Sequence, residues 1–282
     1  PDVLAPALQG ANHVARAALG ADNVPLWSPE LPRGGASRRR PRPAVPPVAV
    51  YLPACVNVMF GPAQGPGVQV SFEALCAAAG ITLLVPEGID ALCCGTPWSS
   101  KGVAAGYEAM RDAVLPAIRA ASDGGRLQVV CDASSCTEGF RKLVESDPDL
   151  DVEVVDAVAF VATHVLPVLG PYERLRSLAL HPTCSSTQIG LNPDLVTVAG
   201  AVAHDVTVPD DWGCCAFAGD RGMLHPELTA SATRREAAEV TRIAADAHAS
   251  CNRTCELGMT RATGTPYRHV LELLAEQALE SF

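Results

Sequence analysis

Residues 91–102 read ALCCGTPWSSKG and residues 212–222 read WGCCAFAGDRG. Each stretch sets two cysteines side by side, Cys93–Cys94 and Cys214–Cys215, ahead of a short turn. In a strand, neighbouring side chains point to opposite faces, so adjacent thiols reach one site only from a turn. Gly95 supplies the backbone freedom for that turn after the first pair. Ala216 stands at the matching place after the second, so the two turns need not be alike. A helix start soon after each pair would favour thiolate over thiol, and thiolate is the form that binds metal.

Outward from the first pair, VAVYLPAC (48–55) has the signal of a buried strand ending at Cys55. VSFEALCAAAG (70–80) reads as a helix stopped by glycine and ITLLVP (81–86) as a second strand. After the pair come a long amphipathic helix over 102–121 and a strand, RLQVVCDASSC (126–136), that runs into Cys131 and Cys136. A helix capped by Thr137 follows, and then a strand passing into a helix over 151–166. The plan then repeats. SLALHPTC (177–184) is a strand ending at Cys184, with a helix near 194–203 and a strand, DVTVP (205–209), before the second pair. A long helix over 227–247, the segment SCNRTCELGM with Cys251 and Cys255, and an amphipathic helix over 267–279 complete it. Strands alternating with helices predict an α/β fold. Here they predict two pseudo-symmetric halves, each a small parallel sheet flanked by helices.

The cysteines mark the duplication. Cys55 is followed by 37 residues, Cys93–Cys94, 36 residues, then Cys131 and Cys136; Cys184 is followed by 29 residues, Cys214–Cys215, 35 residues, then Cys251 and Cys255. Cys76 alone falls outside the pattern and reads as a small buried hydrophobe on a helix. The expected organisation is an N-terminal helix and Pro/Arg-rich linker over 1–47, a first cysteine-rich repeat over 48–170 and a second over 171–282. The linker's arginines read as a solvated connector.

Composition narrows the function. A 282-residue chain with 48% hydrophobic residues can bury a sizeable core, and a net charge of −10 argues against nucleic acid as a partner. No run of eighteen uncharged apolar residues predicts a membrane span. Eleven cysteines, an odd number, in a chain with a good core and no export signal do not suit a disulfide scaffold. A reducing, cytoplasmic setting with metal or redox chemistry fits better. The chain opens Pro-Asp-Val, which reads as a piece of a longer polypeptide.

Ligands of an open parallel sheet bind outside the carboxyl ends of the strands, where the cysteine-bearing loops lie. Structural zinc sites use knuckle spacings such as C-x2-C, which are absent here: the close pairs are C-x4-C and C-x3-C. Five soft thiolates per site favour an iron–sulfur cluster over zinc, with vicinal disulfides as an oxidation product.

LCCGTPWSSKG, CDASSCTEGF, HPTCSS, CCAFAGDRGM and SCNRTCELGM, in that order, resemble the duplicated cysteine-rich CCG module. That module occurs in the cysteine-rich subunit of heterodisulfide reductases and in iron–sulfur subunits of glycolate and lactate oxidation systems. The wording is most similar to the C-terminal part of FAD-linked, cytochrome-type D-lactate dehydrogenases. Those are fused chains of an FAD-binding oxidase domain, a ferredoxin-like segment and two CCG repeats. The resemblance covers residues 48–282 and implies a metal site in each repeat. One would use Cys55, Cys93, Cys94 and Cys136, with Cys131 as a further candidate. The other would use Cys184, Cys214, Cys215 and Cys255, with Cys251 as a further candidate. It implies iron–sulfur clusters as cofactors, with zinc as the alternative at one site, and FAD in a domain outside this chain. The implied partners are that FAD-binding domain, the ferredoxin-like segment and a quinone or cytochrome acceptor, which allows peripheral contact with the inner membrane face. This chain departs from the family's closing C-x2-C spacing in both copies, and Ala216 replaces the second glycine. Two other function classes fit the same cysteines: a zinc-holding docking module, and thiol–disulfide chemistry like that of heterodisulfide reductase.

Lys101 and Arg221, just past the two pairs, read either as cations stabilising an anionic centre or as solvated side chains. His181, three residues before Cys184, reads as a packed histidine bonded to backbone in preference to a ligand. Asp132 and Asp220 read as turn caps, Arg253 with Glu256 as an ion pair, and Trp98 and Trp212 as shields or core.

Overall fold

The computed structural model describes residues 5–28, 31, 34–40, 43 and 45–279. Residues 1–4 of the expected first helix and 29–30, 32–33, 41–42 and 44 of the linker lie outside them. The first element of the described residues is α1 (Ala5–Leu19). The first half then runs β1 (Ala49–Leu52), α2 (Val56–Met59), α3 (Val68–Ala78), β2 (Leu83–Leu84), α4 (Thr96–Ser100), α5 (Ala104–Ala121), β3 (Val129–Cys131), α6 (Ser134–Glu145), β4 (Val154–Asp156) and α7 (Ala157–Phe160). The second runs β5 (Leu175–Leu180), α8 (Cys184–Gln188), α9 (Asn192–Val202), β6 (Ala203–Thr207), α10 (Arg221–Leu224), α11 (Pro226–Ile243), β7 (Ala247–Ser250), α12 (Arg253–Thr263), β8 (Arg268–His269) and α13 (Val270–Ala278).

Each half is a four-stranded, all-parallel sheet, ordered β2-β1-β3-β4 and β6-β5-β7-β8. The two orders are the same order. All four residues of β1 are buried, as an uninterrupted apolar run on a strand covered on both faces requires. Three local readings shift. α6 starts at Ser134 after an extended Ala133, and Thr137 sits a turn inside it, its hydroxyl donating to Asp156 Oδ2 (2.9 Å). β6 begins at Ala203, two residues early. The tail is no helix from its start: Arg268–His269 pair with β7 as an edge strand before α13.

The halves share one core. α3 packs on α13 and α7 packs on α9, the same pair exchanged by a pseudo-two-fold axis. Near that axis the N-terminus of α6 meets α8, and the N-terminus of α12 meets α2. Ser134 Oγ bonds Thr183 (3.0 Å) and Ser185 (2.7 Å), while Arg253 reaches the carbonyls of Phe60 (Nε, 3.3 Å) and Gly61.

The N-terminal arm crosses both halves. Arg16 donates to the carbonyl of Leu224 (2.8 Å) in the second half, and Leu26 N–H to Met223 O (2.7 Å). Gly35 N–H donates to Val58 O (2.8 Å) in the first. The solvated-connector reading fails at Arg38, which is buried, its Nη1 donating to Leu92 O (3.1 Å) and Pro53 O (3.4 Å). Those carbonyls belong to the two loops that carry Cys93 and Cys55, and the guanidinium satisfies both. No helix among the described residues is long and apolar enough to cross a membrane.

Candidate metal centres

The strand order places the sites. The chain leaves β1 to one side, for β2, then crosses back to β3 on the other, so the C-terminal ends of β1 and β3 flank a switch-point crevice. Cys55 precedes α2 just after β1, Cys131 ends β3, and Cys136 lies in the first turn of α6. Cys93 and Cys94 arrive from the β2 side through a turn whose hinge, Gly95, has φ 78°. The five thiols interact electrostatically in one chain: Cys55 with Cys93, Cys93 with Cys94, Cys94 with Cys136, and Cys136 with Cys131.

The charge in this group settles on Cys93. Contact with the Cys55 and Cys94 thiols draws its pKa far down, and the Gly95 N–H and the Arg38 guanidinium add to the effect. Cys55 is pushed up by Cys93 and then by burial, and Cys94 by Cys136, then Cys93, then burial. Asp132 fixes the scaffold: Oδ1 accepts from Ala54 N–H (2.7 Å) and Oδ2 from Tyr51 Oη–H (2.6 Å), which holds the turn leading to Cys55. Burial raises its pKa to about 6.

The second half gathers a different set. Cys184 opens α8 behind a Thr183–Ser186 capping box and interacts with Cys214; both are exposed. Cys215 and Cys255 are buried with their sulfurs 3.3 Å apart. The His181 ring joins them: one donor atom each from His181, Cys215 and Cys255 lies within 4.8 Å of the other two. His181 Nδ1 is bonded to Glu236 Oε1 (2.6 Å), and both side chains are buried. The expectation that His181 bonds to backbone is corrected for its ring, which bonds the Glu236 carboxylate instead. Its backbone N–H does bond Ala249 O (2.9 Å), but its ring belongs to the thiol site. Contact with Cys255, aided by His181, lowers the Cys215 pKa to about 5. Burial opposes a charged His181 ring, yet Cys215 and Glu236 carry its pKa to about 9.

Cys251 is not brought to the other four. Its sulfur lies 3.8 Å from Ser134 Oγ and 3.9 Å from Thr183 Oγ1, at the interface of the halves, and burial raises its pKa to about 12. Cys136 and Cys255 are each the third residue of their helices, α6 and α12. Counted back from those helices, Cys131 matches Ser250 and Asp132 matches Cys251. A one-residue shift in an extended segment turns a side chain to the opposite face. The unequal spacings, C-x4-C and C-x3-C, were the visible trace of it. By the same count from Cys55 and Cys184, His181 matches Leu52.

Around the centres, Lys101 Nζ pairs with Asp220 Oδ2 (2.7 Å), tying the turn after one pair to the turn after the other. Arg253 pairs with Glu256 (2.7 Å) as expected, and both are buried. Trp98 is 40% exposed and lies over Gly106 of α5. Cys76 is buried in α3. Sequence reasoning missed Arg38 and Glu236, which carry no local motif. The HPTC spelling at a strand end was the available signal for His181.

Comparison with known proteins supports the cysteine-rich reading of the second half. Residues 178–260 match the family model of the CCG cysteine-rich domain. No curated protein matches the chain. Among solved structures, an aspartate racemase homologue from Pyrococcus horikoshii aligns over 81% of this chain and 96% of its own. Its identity is 11% and its TM-score 0.31, too low to carry an argument.

Proposed function

We propose that this chain is the iron–sulfur electron-transfer module of an FAD-linked 2-hydroxyacid dehydrogenase of the D-lactate kind. Electrons would pass from a flavin held by another domain to a quinone or cytochrome acceptor. In this reading residues 1–47 are an arm, and 48–170 and 171–282 are the two cysteine-rich repeats.

The observation that carries it is the chain of five thiols, Cys55, Cys93, Cys94, Cys131 and Cys136, at the switch point of the first sheet. The donor set is all sulfur, and among the described residues no three of these thiols lie close enough to serve one ion. Such a set suits a cluster of several irons better than a single zinc. When bound, the cluster supplies reversible one-electron steps. The protein's own residues hold and tune it. The N–H groups of Gly95 and Ala133 point at the Cys93 and Cys131 sulfurs, and Arg38 sets a buried cation beside Cys93. Cys94, Cys131 and Cys136 are buried, which excludes water. Hydrogen bonds to sulfur, local charge and solvent exclusion are the means by which a protein sets a cluster's potential.

The test is iron and acid-labile sulfide content, with electron paramagnetic resonance, on protein made and purified without oxygen. The expected result is about four irons with matching sulfide and a redox-dependent signal. Cys131→Ser should lose most of that iron, and Cys251→Ser should keep it. Zinc without sulfide in the wild type would replace this reading with a structural or docking role.

A further inference from the structure

We propose that His181 is a metal ligand, and that the second centre holds a single divalent cation of the zinc class. His181, Cys215 and Cys255 would bind it, and the exposed Cys184/Cys214 pair would supply the fourth sulfur. This rests on reading the cysteine groups as metal centres, and it makes the two centres chemically different.

Three observations carry it. The first is distance. Two ligands of one zinc ion can be no further apart than two bonds, about 4.6 Å for sulfur. The donors of His181, Cys215 and Cys255 all lie within 4.8 Å of one another, at the edge of that limit, and the two sulfurs, 3.3 Å apart, lie well inside it. Among the described residues this is the one group of three that does so. A multi-iron cluster spreads its cysteines over different metal atoms and needs a wider cage.

The second is the histidine's setting. Nδ1 is engaged by the buried Glu236 carboxylate, while the buried Nε2 makes no hydrogen bond of normal geometry and the ring's other interaction is with the Cys215 thiol. A buried, unpaired ring nitrogen is costly unless something binds it. A carboxylate on one nitrogen with a metal on the other is the usual arrangement around a ligating histidine, and it fixes ring orientation and tautomer.

The third is the contrast with the other half. Leu52 occupies the place of His181, so no imidazole is available there. Where the first half has the thiol of Cys131, the second has Ser250, whose hydroxyl donates to His181 O (2.9 Å). The second half has exchanged a fifth sulfur for a nitrogen, and three sulfurs with one imidazole form a common tetrahedral zinc set.

The experiment uses the full chain, made without oxygen in medium holding both iron and zinc. Zinc, iron and sulfide are measured in the wild type and in His181→Ala, Glu236→Gln and Cys136→Ser. The wild type should hold about one zinc besides its iron. His181→Ala should lose the zinc and keep iron and sulfide, and Cys136→Ser should do the reverse. Glu236→Gln should keep its zinc but release it about 10–100-fold more readily to a chelator. If His181→Ala does not fold, His181→Cys and cobalt substitution serve instead. The cobalt protein should show thiolate-to-metal absorption that rises in the cysteine variant. Unchanged zinc retention in His181→Ala would overturn the proposal, as would iron lost from it. A wild type with one zinc and no iron would instead overturn the electron-transfer reading and leave this one standing.

Discussion

Around Cys136 the first half assembles sulfur alone; around Cys255 the second assembles sulfur and an imidazole. The sheets beneath them have the same order, and both sites sit over the same strand ends. The difference arises in two short connections. Between β7 and α12 a one-residue shift takes a thiol out of the site and puts a serine in its place. At the end of β5 a histidine stands where β1 ends in leucine. Duplicated backbones thus preserve where a site lies, while the loops decide which atoms fill it.

The same asymmetry extends to the interface, where it should have its largest effect on stability. Ser134 and Arg253 are matching first residues of α6 and α12, and each reaches into the opposite half. Ser134 gives one hydroxyl to Thr183 and Ser185. Arg253 is a buried cation paired with Glu256 and bonded to two backbone carbonyls. Removing one partner of a buried ion pair strands the other, at about 3–5 kcal/mol, whereas losing a neutral hydrogen bond costs about 1 kcal/mol. Arg253→Met should therefore lower unfolding free energy by about 3–5 kcal/mol, and Ser134→Ala by about 1 kcal/mol, in urea titrations. Equal losses would mean that the halves carry the interface alike.

A smaller effect separates the two helices that follow the last strands. Asp156 caps α7, accepting from Val158 N–H (2.9 Å), and His269 caps α13 in the matching place, accepting from Leu271 N–H (3.2 Å). Burial drives both toward the neutral form: Asp156 up to about 7, His269 down to about 3. The signs of linkage are then opposite. Folded Asp156 holds a proton that the unfolded chain releases near pH 4, so its contribution falls as pH rises from about 4 to about 7. Folded His269 stays neutral where the unfolded chain protonates, so its contribution is lost as pH falls from about 6.5 to about 3. Each slope approaches about 1.4 kcal/mol per pH unit, and over the shared window they offset. Relative to the wild type, Asp156→Asn should shift the slope of stability against pH upward between about 4 and about 6.5, and His269→Asn should shift it downward there. Parallel pH profiles for the two variants would refute the opposition.

Much of this was legible in the sequence, for physical reasons. Apolar runs such as VAVYLPAC report a strand buried on both faces, and repeated cysteine spacing reports the duplication and the sheet edge that carries the sites. What did not read out depends on register and on long-range contact. Whether Cys251 faces the site turns on where α12 begins, one residue away. Arg38 looked like part of a solvated run, but the carbonyls it serves lie 15 and 54 residues along the chain. Glu236 lies on α11 with no motif to tie it to His181, 55 residues earlier. β8 is two residues long and begins inside what reads as one amphipathic helix.

The smallest expected effect concerns the turns themselves. Gly95 has φ 78° and Ala216 has φ 55°, so the second turn uses the same left-handed backbone despite its side chain. The need is shared: the Gly95 and Ala216 N–H groups each turn toward the first sulfur of their pair, Cys93 and Cys214 (3.4 Å for the latter). A left-handed alanine costs about 1–2 kcal/mol. Replacing it by glycine also loosens the unfolded chain, which takes back about 0.4–1 kcal/mol. Ala216→Gly should therefore stabilise by about 0.5–1 kcal/mol. Gly95→Ala should do the opposite and more, because its Cβ would also stand 2.9 Å from the Tyr107 ring. A loss of about 1–2 kcal/mol is expected there, read as a lowered denaturation midpoint. If both variants destabilise, the second turn has adapted to its alanine, and the likeness of the two turns ends at the sign of φ.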